Sequence, residues 1–211
     1  QYLAKAIILA HGLRRRKLGV PGEEEFIGRG VSYCVSCDAF FFREKTVAIV
    51  GGSDSAVTGA LQLADIANKV YIIYRRDSLR AKPILVERVM SNPKIEVLYN
   101  TNVVEIKGKD RVEFVVLSKP YKGRKELEVD GIFIEIGFEP DKTFVEQLGI
   151  DTDEKGFIKI APDCSTNVPG VFAAGDVTNG SNNMKQIVTA VAEGAIAAES
   201  VYFYLKRGDR L

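Results

Sequence analysis

The sequence predicts an α/β fold, and three observations predict it. Residues 6–10 (AIILA), 46–50 (TVAIV), 70–74 (VYIIY) and 131–137 (GIFIEIG) are apolar runs of strand length, the pattern of strands covered on both faces. After the second run, Gly51, Gly52, Ser53, Asp54, Ser55 and Ala56 open a stretch in which Ala56, Ala60, Leu61, Leu63, Ala64 and Ala67 recur at spacings suited to a helix packed closely on a sheet. Strand, glycine turn, helix and strand within about thirty residues make a βαβ unit of the Rossmann-like, dinucleotide-binding kind. Segments at 95–98, 102–107, 112–118 and 126–129, separated by Asn, Gly and Asp turns, read as strands of an antiparallel β-meander annexed to it.

The elements follow in order. The run at 6–10 is stopped by His11 and Gly12; Gly19, Pro21 and Gly22 break the chain, and Glu23, Glu24 and Glu25 read as an exposed acidic loop. Residues 28–31 behave as a link, which places a first boundary near Ser32. In the glycine turn, a G-x-G-x-x-A template begins at Gly51 and ends at Ala56, its first position making the tight turn, its middle letting a pyrophosphate approach the backbone and its last permitting close helix packing. The middle position here is Ser53, so the turn alone is a weak signal. At the end of the next strand, where an acid would accept a bond from a free ribose 2′-hydroxyl, stand Arg75, Arg76 and Arg80. Forked guanidinium bonds suit a phosphate, so this cluster favours the 2′-phosphate of NADPH over NADH, the alternative being a solvated basic loop.

Pro83 and residues 84–90 make a short helix that Asn92 and Pro93 end. The run at 131–137 closes the domain, and a second boundary at 137–140 divides the chain into 1–31, 32–139 and 140–211. The last segment carries a helix at 143–148, a turn at 153–156 and a short strand at 157–160. A small-residue strand then delivers Gly175 and Asp176 at its end, the edge where open α/β sheets hold ligands; a cap or turn aspartate is the alternative. From Lys185 a long helix runs through Val188, Val191, Ala195, Ala198 and Val201, its N-terminus offering N–H groups to an electron-rich ring.

A chain of 211 residues buries one good core or two modest ones. Its net charge of +1 gives no reason to expect nucleic acid or an anionic membrane as partner. Arg14, Arg15, Arg16 and Lys17 read as a solvated turn, with a phosphate contact as the alternative. No apolar run approaches the roughly 20 residues that cross a bilayer, and no signal peptide opens the chain, so a cytoplasmic address is expected. A start at Gln1, in a strand approach, is expected of a processed or truncated product.

Cys34-Val35-Ser36-Cys37-Asp38 is the stretch with the most chemistry. Two cysteines with two residues between them can close a disulfide or open to two thiols and so hold two electrons, the thiolate being favoured near a helix N-terminus. Asp38 sits where it can shuttle the proton that thiol exchange takes up or releases. Half of a zinc site is one rival, but besides the pair the chain offers only Cys164 and His11, so no metal is expected. A purely structural disulfide is the other.

The order of this motif, the turn from Gly51 to Ala56, Arg75-Arg76-Asp77 and Val171-Phe172-Ala173-Ala174-Gly175-Asp176-Val177 resembles low-molecular-weight thioredoxin reductases, over the whole chain. The resemblance implies an NADPH-binding domain with the C-x-x-C pair and the meander at 32–139, inserted into a partial FAD-binding α/β domain formed by 1–31 and 140–211. It implies that Cys37 faces the flavin, Cys34 completes the disulfide and Asp38 donates a proton. Arg75, Arg76 and Arg80 would hold the 2′-phosphate, Gly12 would lie beside FAD, Gly175 and Asp176 would meet its ribitol, and Gln186 and Ile187 its ring. Hydride would pass from NADPH to FAD, electrons to the disulfide, and exchange would reduce thioredoxin or a thioredoxin-like protein. A homodimer and a rotating inserted domain are also implied.

This sequence departs from the pattern in four places. The family's opening strand and G-x-G-x-x-G turn are not among the 211 residues. His11 replaces a threonine and reads as a core or turn histidine, Ser53 crowds the dinucleotide pyrophosphate, and Lys185 replaces an arginine beside the flavin. The rival functions are a reductase of the same architecture for a peroxidase-linked or glutaredoxin-like partner, and a non-catalytic NADPH-binding fragment without flavin.

Overall fold

The computed structural model describes residues 3–141 and 143–208; Gln1, where truncation is expected, lies outside them. The chain divides into two units, one of Gln1–Arg14 with Phe138–Leu211 and one of Arg15–Gly137. It enters through β1 (Ile7–Leu9) and β2 (Leu13–Arg15). The second unit then carries β3 (Val31–Ser32), α1 (Val35–Asp38), β4 (Thr46–Val50), α2 (Asp54–Ala64), β5 (Lys69–Ile73), α3 (Pro83–Met90) and β6 (Ile95–Leu98). It continues through β7 (Val103–Gly108), β8 (Val112–Tyr121), β9 (Arg124–Glu128) and β10 (Gly131–Ile134).

Five of these strands form a parallel sheet in the order β3-β10-β4-β5-β6. Alternation along each strand explains why the runs are apolar without a break. Val47 and Ile49 of β4 and Phe133 of β10 point to one face, where α2, α3 and the segment after α1 cover them with Val57, Leu63, Val89 and Phe42. Ala48, Val50, Ile132 and Ile134 point to the other, against Val103, Ile106, Val115 and Leu127 of the antiparallel sheet β7-β8-β9. Gly59 lets α2 approach closely, since a Cβ there would lie 3.0 Å from both Ile49 and Val35.

Several features of this unit differ from the sequence expectation. The segment at 95–98 is β6, a parallel edge strand beside β5 and not part of the meander, because α3 supplies the crossover that a parallel neighbour needs. The run at 131–137 ends the unit in chain order, and within the sheet its strand β10 lies between β3 and β4. The first boundary falls at Arg15, not near Ser32: Phe26 and Val31 join the meander core, Ile106 N donates to Pro21 O at 2.9 Å, and Val112 N donates to Arg29 O at 2.9 Å. Glu23, expected in an exposed loop, is 1% exposed and accepts hydrogen bonds from Leu18 N, Gly19 N and the Tyr33 hydroxyl at 2.7–2.8 Å.

In the other unit, β11 (Phe138–Pro140) pairs with β2, and α4 (Thr143–Leu148), β12 (Val171–Ala173) and α5 (Ile187–Gly208) follow. Strand β1 runs parallel to β12. Covered faces were expected for β1, yet Ile7 and Ile8 are 43% and 39% exposed, because among the described residues its sheet has two strands only. Residues 157–160 form isolated bridges, Ile158 with Thr152 and Thr178, in place of a strand. Helix α5 buries Glu193 and Ala197 and leaves Val188 and Val191 outside. Small residues surround this helix, so hydrogen bonds to Glu193 and the Phe172–Tyr204 ring contact at 5.9 Å set its rotation. Contrary to expectation, Ile187–Lys206 is long and apolar enough to cross a bilayer by length and composition, with mean hydropathy 1.2. Glu193 and Glu199 break the apolar run without lowering that mean far.

Candidate dithiol and dinucleotide sites

Both sites of the second unit follow from where its strands end. Chain order runs from β4 to β5 on one side, while β10 flanks β4 on the other, so a crevice opens beyond the C-terminal ends of these strands. It measures about 520 Å³ and is lined by Gly51, Gly52 and Ser53 after β4, Tyr74, Arg75 and Arg80 after β5, and Glu135 to Gly137 after β10. Gly51, with φ +145°, is required by the fold, since a Cβ there would meet the Glu135 carbonyl oxygen at 2.3 Å. Gly52 lies flat on the Tyr74 ring, which a Cβ would meet at 2.6 Å.

The rest of the turn is divided. Ser53 occupies the exposed N-cap position of α2 without a side-chain capping bond, Asp54 accepts a bond from Lys82 N at 2.8 Å, Ser55 is exposed, and Ala56 is buried against the sheet. Arg75 and Arg80 line the crevice, and Arg76 does not; its carbonyl accepts the Asn100 N–H at 2.9 Å. Arg16 and Lys17 also line it, with Lys17 paired to Glu24. Four cations around one crevice, two of them from a segment far away in sequence, suit a ligand with several phosphates.

Cys34 and Cys37 form a disulfide with a Cα–Cα distance of 5.3 Å. Cys34 occupies the cap before the single turn of α1 and is half-buried, whereas Cys37 is exposed. Asp38 is half-buried and accepts a 2.6 Å bond from the Ser32 hydroxyl, which in turn accepts the Cys34 N–H at 3.0 Å. A hollow of about 410 Å³ is lined by Cys34, Asp54, Ser55 and Glu135, so Glu135 borders both sites. Burial pushes the Glu135 carboxyl above its ordinary range, and Arg15, 3.6 Å away, only partly opposes this. Cys164 is buried and burial pushes its thiol up, which sets it apart from the disulfide.

In the first unit, Gly175 (φ +79°) turns the chain after β12 and presents Asp176, half-buried, in a 3₁₀ turn. Glu193 holds this turn by accepting bonds from Gly175 N (2.8 Å), Thr178 Oγ1 (2.8 Å) and Ser181 Oγ (2.6 Å). Gln186 and Ile187 stand exposed at the start of α5. Lys185, expected beside a flavin, is turned inward: its ammonium donates to the Thr178 carbonyl and lies 4.5 Å from the Phe157 ring centroid. Burial lowers its pKa. Gly12 has φ +69° with open space where a Cβ would be, and His11 is exposed, edge-on to Phe144 at 6.1 Å, not in the core. Sequence reading missed Ser32, Tyr74 and Glu135; the basic run 14–17 was its one pointer to Arg16 and Lys17.

The profile of pyridine nucleotide-disulphide oxidoreductases matches residues 1–194. The thioredoxin reductase of Bacillus subtilis is 45% identical over 208 residues, 98% of this chain and 65% of the relative. That of Treponema pallidum is 40% identical, over 97% of this chain and 66% of the relative. The crystal structure of Lactococcus lactis thioredoxin reductase superposes with a TM-score of 0.83 at 42% identity, over 98% of this chain and 68% of that one. This chain thus spans 65% of the length of the Bacillus relative, with a redox-type Cys34–Cys37 disulfide beside a crevice at the strand ends. It belongs to the pyridine nucleotide-disulphide oxidoreductase family and, within it, to the thioredoxin reductase group.

Proposed function

We propose that this chain carries the dithiol and the dinucleotide site of an FAD-dependent NADPH:disulfide oxidoreductase that reduces thioredoxin or a thioredoxin-like protein. The observation that supports it most is one unit holding both a partly exposed disulfide and a glycine-turned crevice bordered by Arg16, Lys17, Arg75 and Arg80. In this reading Gly51, Gly52 and Ser53 receive the pyrophosphate of NADPH, and Arg75 and Arg80 receive its 2′-phosphate. Arg76 takes a lesser part, since it does not border the crevice.

The first unit offers a donor set that fits FAD. Asp176 stands half-exposed on a glycine turn, suited to accept bonds from ribitol hydroxyls, and the start of α5 at Gln186 and Ile187 presents N–H groups to a ring. When bound, the flavin would supply the two-electron link between hydride and disulfide. Cys34 and Cys37 store those electrons as a dithiol, Asp38 moves the proton, and thiolate attack passes the electrons to a partner disulfide. A homodimer and a cytoplasmic address complete the proposal; sedimentation and cell fractionation test them.

The test is the visible spectrum of the purified chain before and after anaerobic NADPH. A flavin band that bleaches, with thioredoxin reduction that Cys37→Ser abolishes, is the predicted result. Undiminished turnover in Cys37→Ser would reject the reading. A colourless sample that still binds NADPH would reject the flavin-dependent part and leave a dinucleotide-binding dithiol unit.

A further inference from the structure

Ser32 belongs to the redox motif although it precedes it. It lies in β3, paired in register with Phe133 of the central sheet, and is buried. Its hydroxyl has one hydrogen and two lone pairs. The hydrogen goes to Asp38 Oδ2 at 2.6 Å, while the oxygen accepts the Cys34 N–H at 3.0 Å. The Cys34 carbonyl, 3.3 Å from the same oxygen, accepts the Asp38 N–H at 3.1 Å. One side chain on a rigid strand therefore ties the acid to the backbone of the disulfide ring, and every polar partner of its hydroxyl belongs to Cys34 or Asp38.

We propose that Ser32 is a positioning residue for proton transfer in dithiol–disulfide exchange, acting through Asp38; this rests on the role given to Asp38 above. When an external thiolate attacks one sulfur of the pair, the Cys34–Cys37 bond breaks and its electron pair goes to the leaving sulfur. That sulfur takes a proton from the Asp38 carboxyl. The second thiol of a dithiol reductant then displaces the other cysteine, closing the reductant's own disulfide; of the two protons its thiols release, one goes to that cysteine sulfur and the other, through solvent, restores Asp38. Ser32 keeps the Asp38 carboxyl turned to the ring, not to water.

Dithiothreitol reduction of this chain, quenched by alkylation and counted by mass, needs no flavin. Asp38→Asn should slow it at least about tenfold, and Ser32→Ala by about tenfold. The double variant should be no slower than Asp38→Asn alone, the non-additivity of residues that act as a unit. Ser32→Thr should retain the wild-type rate while the nearly isosteric Ser32→Val behaves as Ser32→Ala, a contrast that packing alone does not produce. Independent, multiplying losses, or equal rates for Ser32→Thr and Ser32→Val, would overturn the proposal and leave the Asp38 assignment standing. An Asp38→Asn variant as fast as wild type would overturn both.

Discussion

Glu135 is a carboxylate whose burial makes a demand that pH can test. Burial raises its carboxyl above the ordinary range, so the folded chain holds a proton there that the unfolded chain has already released. Stability must then fall as pH rises from the ordinary carboxylate range to the raised value, and is highest below both. Glu135→Gln removes that dependence. In urea unfolding, wild type should lose stability relative to the variant across that window; a constant difference would contradict the burial account. Cys34, Cys37, Asp38 and the arginines stand out in the sequence because their chemistry is written in short strings. Glu135, Ser32, Glu23 and Tyr74 gain their roles from neighbours that only folding supplies, as when Glu23 collects the amides of Leu18 and Gly19 and the Tyr33 hydroxyl.

At the scale of elements, the β4–α2–β5 unit was legible because its strands are buried on both faces and its glycines stand where a Cβ would come within 2.3 and 2.6 Å of neighbouring atoms. Neighbours in the sheet were not, since periodicity reports that a strand exists and not what it pairs with. The insertion of β10 between β3 and β4 is the example, and it is also what opens the crevice at the strand ends. The rotation of α5 was hidden for a different reason: alanines and glycine around the helix leave no single apolar stripe, and a buried glutamate decides the face. The loop after β5 can be dissected. Arg75→Ala and Arg80→Ala should each weaken NADPH binding about ten- to a hundredfold, the value of a charge-assisted bond, with little change for NADH. Arg76→Ala should cost much less, and an equal loss in fluorescence titrations would contradict the placement of Arg76 outside the crevice.

For the whole molecule, the two units differ in how much they bury. The second unit has two apolar layers, one on each face of a five-stranded sheet, whereas the first has two small clusters around β12. Two units with the right alternation of strands and helices were legible, but the first boundary was not, because residues 15–31 look like a loop and are held in place by the meander. The second unit is central to the proposal, because it holds both the disulfide and the proposed site for a phosphorylated dinucleotide. Titration calorimetry of the oxidised chain with NADPH and then NADH tests this most directly. The predicted result is one NADPH per chain, bound at least about tenfold tighter than NADH, a difference of about 1.4 kcal/mol. No saturable NADPH binding, or equal affinity for the two, would contradict it.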